Sequence, residues 1–187
     1  MRVSPLRRNR CDTKIIALLY GAIVAQGRSP AFYESYGVAD TVSGRFEMIV
    51  LHMVLALRRL NGGSADLRRL GQMVFDSFCS DMDANLRELG VGDLAVPRRM
   101  RGIGEAFYGR QLAYDAALAV QDSTLASALA RNVLGTPAPA QAEKLASYVR
   151  EASHHLAAQG DAALSCGEIG FPDPQTVLAR AAGGCFT

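Results

Sequence analysis

The stretch at residues 48–57 constrains the fold more than any other part of this sequence, because His52 is its one polar residue. A helix that is apolar on every side is buried on every side, and a run of about ten residues is too short to cross a bilayer. The surrounding pattern predicts that this helix begins near Ser43 and ends at Asn61, ahead of two glycines. We therefore predict a central core helix, with His52 as a core histidine rather than a ligand.

The periodicity elsewhere is also helical, with no convincing strand alternation, so the predicted fold class is all-α. With 187 residues, 49% of them hydrophobic, the chain can form one domain with its own core. We predict a flexible basic arm at residues 1–10, and at residues 11–187 a single-domain bundle of about seven or eight helices around the central one. The other predicted helices span residues 12–26, 30–36, 64–89, 97–120, 122–133 and 140–158, with a last short one that ends at 182.

Two long helices are predicted on either side of a short connection. Ser64 caps the first helix, and Gly90 ends it by supplying a left-handed residue. Pro97 suits the first turn of the second helix. We call the bend between them, residues 86–110, the elbow. Gln111 falls within the apolar stripe of the second helix, which predicts a buried amide with a hydrogen-bond partner.

The charge distribution separates the amino terminus from the rest of the chain. The formal net charge is +2, and subtracting the four arginines of the first ten residues leaves −2 for the rest. A nucleic-acid-binding domain is expected to be basic overall or along one stripe, so DNA and RNA are disfavoured as direct ligands. Residues 98–110 still hold four arginines and one glutamate beside Phe107 and Tyr108. Arginines next to exposed aromatic residues are typical of protein interfaces, and a solvated basic face is the alternative.

No candidate enzyme or metal site in the sequence is better supported than an ordinary structural role for the same residues. Asp76, Asp81 and Asp83 invite comparison with the metal-binding aspartates of all-α prenyl transferases. On a helix, however, Asp81 points about 140° away from Asp76, which favours a solvated face with an ion pair between Asp83 and Arg87. The four cysteines show no zinc spacing and no C-x-x-C pair, which favours free thiols in a reducing compartment. We predict no catalytic residues, no metal and no cofactor.

The apolar run at residues 15–25 follows the arginines and could be taken for a secretory signal. Tyr20 and Gly21 interrupt the run, and residues 26–30 are typical of a helix end, so we predict the first helix of the domain instead. We also expect no stretch long enough to cross a bilayer. The predicted location is cytoplasmic, with peripheral contact at the inner face of the membrane left open.

The central helix and the elbow contain a set of sequence blocks that occur together. The blocks are residues 44–48, 51–55, 58–60, 81–83, 86–94, 96–100, 107–110 and 131–132, beginning with Gly44-Arg45-Phe46-Glu47-Met48. In combination they resemble the ubiquinol–cytochrome c chaperone family. The resemblance is most specific over residues 41–133, and residues 19–26 and the tail around Phe171 are similar to compact bacterial members.

The resemblance implies an all-α protein without enzymatic activity that engages newly made cytochrome b before or during haem loading and assembly of the cytochrome bc1 complex. Mitochondrial members work with a small partner near the ribosomal exit, so transient contact with a ribosome or with the inner membrane surface is a further expectation. Gly90 and Pro97 also have clear structural roles as a helix stop and a helix start. The implied partner-binding positions, together with Met100 and Arg101 of the basic run, are Asp81, Asp83, Arg87, Gly90, Gly92, Asp93, Pro97, Arg98, Arg99, Phe107, Tyr108 and Arg110.

These observations lead to the hypothesis of an assembly chaperone whose elbow receives apolar, cation-flanked segments of an unassembled membrane protein. Such a role requires an exposed apolar patch, so Leu94, Met100, Phe107 and Tyr108 should not all be buried. One alternative is a helical-bundle enzyme of isoprenoid or quinone metabolism, which needs carboxylates that point inward from two helices. The other is an interaction module that binds an anionic lipid or an acidic protein through its arginines.

Overall fold

The structure is a computed structural model that describes residues 5–120 and 122–183, and the side chains of residues 12–120 and 122–181. The described residues form nine α-helices, which confirms the all-α prediction; the short α8 was not anticipated. A π-helical turn, Ala130–Leu134, continues α6. The helices are α1 (Pro5–Gly27), α2 (Pro30–Ser35), α3 (Val42–Asn61), α4 (Ala65–Glu88), α5 (Val96–Leu118), α6 (Thr124–Leu129), α7 (Pro139–Ala157), α8 (Asp161–Ser165) and α9 (Pro174–Gly183).

The first helix begins earlier than the sequence pattern predicted. Helix α1 starts at Pro5 rather than near Asp12, so residues 5–10 are helical. Proline suits a first helical turn, and the leucine and arginines that follow it are good helix formers. Residues 1–4, the remainder of the predicted arm, lie outside the described residues.

Helix α3 is the centre of the bundle, as predicted. Every residue from 48 to 57 is buried, and α1, α4, α5 and α7 pack around this helix. The Thr41 hydroxyl caps α3 by accepting a hydrogen bond from the backbone N–H of Gly44 at 3.1 Å. A Cβ atom at position 44 would lie 2.0 Å from the carbonyl oxygen of Ala39. The glycine that opens the first sequence block is therefore required by this close approach.

A buried polar chain passes through the core at His52. The Gln26 amide donates to the Tyr148 hydroxyl at 2.9 Å, and that hydroxyl lies 2.8 Å from Nε2 of His52. Nδ1 of His52 lies 2.7 Å from the Met48 carbonyl oxygen, which can only accept, so Nδ1 carries the proton and Nε2 accepts from Tyr148. Gln26 also donates to the carbonyl of Pro172 at 3.1 Å, which ties the carboxyl-terminal tail to this network. His52 is thus the satisfied core histidine that the sequence predicted.

One segment, Asp12–Ser35, is long and apolar enough to cross a bilayer by length and composition, contrary to the sequence-based expectation. In the fold the segment is divided between α1 and α2, with the break at residues 28–29. Its side chains Leu19, Ile23 and Phe32 are fully buried in the common core. Helices that contribute to a protein core also meet a criterion of length and composition, so we treat this segment as part of the bundle.

Helices α4 and α5 form the predicted elbow. The Ser64 hydroxyl caps α4 by accepting from the N–H of Leu67. At the other end of α4, Gly90 has a left-handed backbone with φ of 80°. The N–H of Gly90 donates to the Arg87 carbonyl, and the N–H of Val91 donates to the Leu86 carbonyl. These two bonds are the Schellman arrangement that satisfies the last carbonyls of a helix. The predicted stop at Gly90 is confirmed.

Candidate functional site

The loop at residues 89–95 holds a defined shape because three features fix it. Arg87, in the last turn of α4, pairs with Asp83 at 2.6 Å and also with Asp93 of the loop. The hydrogen bond that Arg87 donates to Asp83, together with the charges of Asp83 and then Asp93, raises the pKa of Arg87 above its already high value. The Gly92 carbonyl accepts from the N–H groups of Ala95 and Val96, which begins α5. Val96 itself is 1% exposed and anchors the loop in the bundle.

The loop presents apolar side chains to solvent. Leu94 is 100% exposed and Leu89 is 78% exposed. Met100, one turn into α5, is half-buried. Leucine is among the residues most often buried in folded proteins. Here the surrounding turns keep two leucine side chains in solvent. We call residues 89–95, with these two leucines, the elbow tip.

Three arginines surround the start of α5 directly behind the elbow tip. Arg98, Arg99 and Arg101 are exposed, and none of their guanidinium groups has a hydrogen bond or ion pair to another described residue. No acidic residue occurs between positions 94 and 104. We call these three residues the arginine cluster.

The arginine cluster lies at the unfavourable end of its helix. The first turn of α5 has no acidic residue, and the amino terminus of a helix carries partial positive charge. A cation near that end costs about 0.3–1 kcal/mol at an exposed site. The cluster therefore does not stabilise the isolated fold, which distinguishes it from Arg87 in the last turn of α4.

A shallow cleft with an aromatic floor lies further along α5. The ring centroids of Phe75 and Phe107 are 4.8 Å apart, and those of Phe75 and Tyr108 are 5.9 Å apart. Tyr108 is 56% exposed, and Leu112, one turn further on, is 73% exposed. We call this feature the aromatic cleft; it has a volume of about 150 Å³ and is lined by Leu57, Asn61, Gly71, Gln72, Phe75, Phe107, Tyr108 and Gln111.

Gln111 lies at the rim of the aromatic cleft and is half-buried, contrary to the prediction of a buried amide. The side chains of α5 that are most deeply buried are Phe107, Tyr114 and Ala117. At 100° per residue Gln111 lies about 40° from Phe107 toward the exposed Tyr108. It therefore belongs to the edge of the apolar stripe rather than to its middle.

Arg110 holds two helices together instead of facing solvent. Its Nε donates to Oε2 of Glu47 at 2.6 Å, and a second guanidinium nitrogen donates to Oε1 at 2.5 Å. A third bond goes to the Ala106 carbonyl at 3.0 Å. Only 20% of the Arg110 side chain and 11% of the Glu47 side chain are exposed. This bidentate pair joins α5 to α3 and uses the directional donors of the guanidinium group.

The carboxylates of α4 do not converge on one point. Asp76 accepts from the Gln72 amide, Asp81 accepts from the Tyr20 hydroxyl at 2.7 Å, and Asp83 pairs with Arg87. Burial and then the Asp81 carboxylate raise the pKa of Tyr20, so its hydroxyl remains a donor. Within the described side chains, no group of three or more His, Cys, Asp and Glu residues is arranged to hold a metal ion. These contacts favour a role for Asp81 in packing α4 against α1.

A larger open cleft of about 730 Å³ lies at the opposite end of α5, and arginines line it. Arg58 pairs with Asp115 at 2.7 Å, and Arg59 pairs with Asp161 at 2.6 Å. Arg150 donates to the carbonyls of Val120 and Asp122, near the end of α5. Since the arginines of this cleft are engaged by groups of the same chain, they stabilise helix ends and are not free to bind an anion.

The cysteines give no sign of a reactive centre among the described side chains. Cys79 and Cys166 are free thiols. Burial raises the pKa of Cys79, and the nearby Asp76 adds to the effect, so the unreactive thiol form dominates at neutral pH. Cys11 and Cys185 lie outside the described side chains.

The structure divides the predicted partner-binding residues into two groups. One group is buried, is paired, or forms a turn or helix start, and it shapes the elbow and the part of α4 that leads into it: Asp81, Asp83, Arg87, Gly90, Gly92, Asp93, Pro97, Phe107 and Arg110. Exposed or half-buried residues form its surface: Arg98, Arg99, Met100, Arg101 and Tyr108. Sequence reasoning missed Leu89, Leu112 and Glu47. Leu89 fits the helical stripe of α4, and its place directly before Gly90 was the available sign that it lies past the last packed turn.

Three comparisons relate this chain to known proteins. The profile described as Ubiquinol-cytochrome C chaperone matches residues 34–171. "Ubiquinol-cytochrome-c reductase complex assembly factor 1" of Xenopus laevis is 28% identical over 169 residues, which cover 88% of this chain and 84% of the frog protein. The protein of that name from Mus musculus is 26% identical, with 93% of this chain and 62% of the mouse protein covered. The crystal structure of the Cbp3 homolog from Brucella abortus is 40% identical, with a TM-score of 0.83 and coverage of 90% of this chain and 94% of that one.

Proposed function

The chain belongs to the ubiquinol–cytochrome c chaperone family, and from this membership we propose that it assists assembly of the cytochrome bc1 complex by binding newly made cytochrome b. The relatives named as assembly factors of ubiquinol–cytochrome c reductase support the first part of the proposal. The proposed activity is non-enzymatic, since shielding an unassembled subunit requires a surface and no bond-making step.

The observation that carries the proposal is the exposed apolar surface beside the aromatic cleft. Tyr108 and Leu112 stand one helical turn apart on α5 and are both more than half exposed. An unassembled membrane subunit has apolar segments that need cover, and tyrosine is among the residues that dominate binding energy at protein interfaces. Phe75 and Phe107 form a rigid floor behind Tyr108. We assign the client contact to Tyr108 and Leu112.

The test is affinity purification of the tagged full-length protein from native membranes in mild detergent, with cytochrome b detected in the eluate. Wild-type protein should retain cytochrome b, and the double variant Tyr108→Ala, Leu112→Asn should retain at least tenfold less, as expected for about 1.4 kcal/mol of lost binding energy. Val42→Asn is the matched control, because Val42 is 85% exposed at the start of α3. Deleting the gene should also lower the amount of assembled bc1 complex.

Two results would contradict the proposal. One is an eluate of wild-type protein without cytochrome b from membranes that are actively assembling the complex. The other is an unchanged amount of bc1 complex in cells that lack the protein. Equal recovery of cytochrome b by the double variant and by Val42→Asn would still support cytochrome b as the client. It would exclude the aromatic cleft as the surface that binds it.

A further inference from the structure

We propose that the elbow tip and the arginine cluster form a docking surface for an anionic lipid bilayer, with Leu94 entering the headgroup layer and Arg98, Arg99 and Arg101 bound to lipid phosphates. This inference deepens the proposed function and rests on it, because a chaperone for a membrane protein works beside a bilayer. It assigns the elbow tip to lipid and leaves the aromatic cleft to the client.

The first argument is that no carboxylate of the described side chains pairs with the arginine cluster. Its three guanidinium groups are exposed, no acidic residue occurs between positions 94 and 104, and the helix end beneath them is itself positive. By contrast, Arg58, Arg59, Arg87 and Arg110 all pair with carboxylates. A cluster that is unfavourable in the free protein is complementary to an external anionic surface.

The second argument identifies the anion. Loops on the cytoplasmic side of membrane proteins are rich in Lys and Arg, so the arginine cluster would repel the flanks of a client segment on that side. The hypothesis of cation-flanked segments bound at these arginines is therefore disfavoured. Anionic lipid headgroups are the negative surface beside such a segment, and each arginine near that surface contributes favourably.

The third argument comes from the two leucines. Leu94 is 100% exposed and Leu89 is 78% exposed, and the Schellman turn, the pairing of Arg87 with Asp93 and the buried Val96 hold the loop in that position. Apolar side chains in front of a basic belt are typical of proteins that lie in a membrane interface. The phosphates of an RNA backbone would bind the arginines equally well but would make no apolar contact with the leucines. The combination favours a bilayer.

The experiment measures co-sedimentation of the purified full-length protein with vesicles, without any client. Wild-type protein should bind phosphatidylcholine vesicles that contain phosphatidylglycerol and should not bind pure phosphatidylcholine vesicles. Binding should weaken as salt rises from about 0.05 to 0.5 M, since salt screens exposed charges. The triple variant R98Q/R99Q/R101Q should lose about a hundredfold in affinity, and Leu94→Asn should lose several-fold.

The controls separate location from charge and apolarity. The triple variant R28Q/R131Q/K144Q removes three exposed cations elsewhere, and Val42→Asn removes an exposed apolar side chain elsewhere. Both should bind mixed vesicles as the wild type does. Arg99→Glu should raise the melting temperature, because it places an anion at the amino-terminal end of α5, and should weaken vesicle binding. A stabilised variant that no longer binds excludes misfolding as the cause.

Three results would overturn the proposal. The first is wild-type protein that does not bind anionic vesicles. The second is a triple arginine variant, R98Q/R99Q/R101Q, that binds these vesicles as well as its control does. The third is competition by a single-stranded RNA oligonucleotide whose own binding is unaffected by Leu94→Asn, which would assign the arginine cluster to RNA. Because no client is present, a negative vesicle result leaves the recovery of cytochrome b in detergent untouched. Conversely, loss of that recovery leaves the vesicle result intact.

Discussion

His52 makes the stability of this fold depend on pH. Burial lowers the pKa of His52 to about 4, against an ordinary value of 6.5, and the hydrogen bond to the Met48 carbonyl opposes that shift only in part. The unfolded chain therefore binds a proton at a higher pH than the folded protein does. The contribution of neutral His52 to the free energy of unfolding is fully present above pH 6.5 and is lost as the pH falls toward 4. The difference of 2.5 pKa units corresponds to about 3 kcal/mol at most.

We expect the free energy of unfolding to fall by about 2 kcal/mol between pH 7 and pH 5 on account of this residue. Urea titrations at the two pH values measure it. The variant His52→Gln should show a smaller pH dependence, although it is less stable at pH 7 because the amide does not reproduce both hydrogen bonds of the imidazole ring. His155→Gln, at an exposed histidine on α7, is the matched control. Equal pH dependence in wild type and His52→Gln would contradict the argument.

At the residue scale, sequence reasoning succeeded where the immediate neighbours decide the outcome. The role of His52 followed from the apolar residues on either side of it, and Gly90 followed from its position after a helical stripe. Arg110 is a predicted partner-binding residue, and its pairing with Glu47 was not predictable, because Glu47 is 63 positions away and no local pattern connects them. A basic residue in the sequence does not indicate whether an acidic side chain will meet it in the fold.

At the scale of elements, the pairing of Arg110 with Glu47 joins α5 to α3. Both side chains are largely buried, so removing one partner leaves the other charge without compensation. We expect Arg110→Ala to lower the free energy of unfolding by about 3 kcal/mol. The control is Arg45→Ala, since Arg45 pairs with Asp40 at 2.6 Å while both side chains are 55% exposed. Because water screens that exposed pair, its removal should change the free energy of unfolding much less.

Chemical denaturation of both variants at pH 7 checks the comparison. A loss for Arg110→Ala no larger than that for Arg45→Ala would show that Arg110 is not needed to hold α5 in place. It would then return to the group of residues available for binding. Recovery of stability by a second substitution, Glu47→Gln, would support the argument that an uncompensated buried charge causes the loss.

Helix positions were well predicted from sequence, and the errors occurred where a start signal was ambiguous. The central helix, α4 and α5 agree with the predicted ranges within two residues, because their caps and stripes coincide. Helix α1 begins seven residues early, since Asp12 can cap a helix but can also occupy a helical turn. The complete exposure of Leu94 was not predictable in the same way, because it depends on how far the elbow extends from its neighbours.

The molecule as a whole consists of a bundle packed on α3 and an elbow that buries little of its own surface ahead of Phe107. In the fully described stretch between Phe78 and Phe107, Val96 is the one buried residue, whereas residues 48–57 of α3 are all buried. Regions with few buried contacts open locally at a lower free energy than the core. We therefore expect the elbow to open and close independently of the bundle, which would let its surface adapt to a bilayer or a client.

Hydrogen exchange followed by mass spectrometry tests this division. Amides in α3 should exchange only through global unfolding, and amides at residues 84–104 should exchange at least about a hundredfold faster through local opening. The variant Val96→Ala should speed exchange in the elbow alone, because it removes the buried anchor of that unit. Val74→Ala on α4, where the side chain is fully buried in the main core, should speed exchange throughout. Uniform acceleration by both variants would mean that the elbow and the bundle unfold as one unit, and surface adaptation would then need a different physical basis.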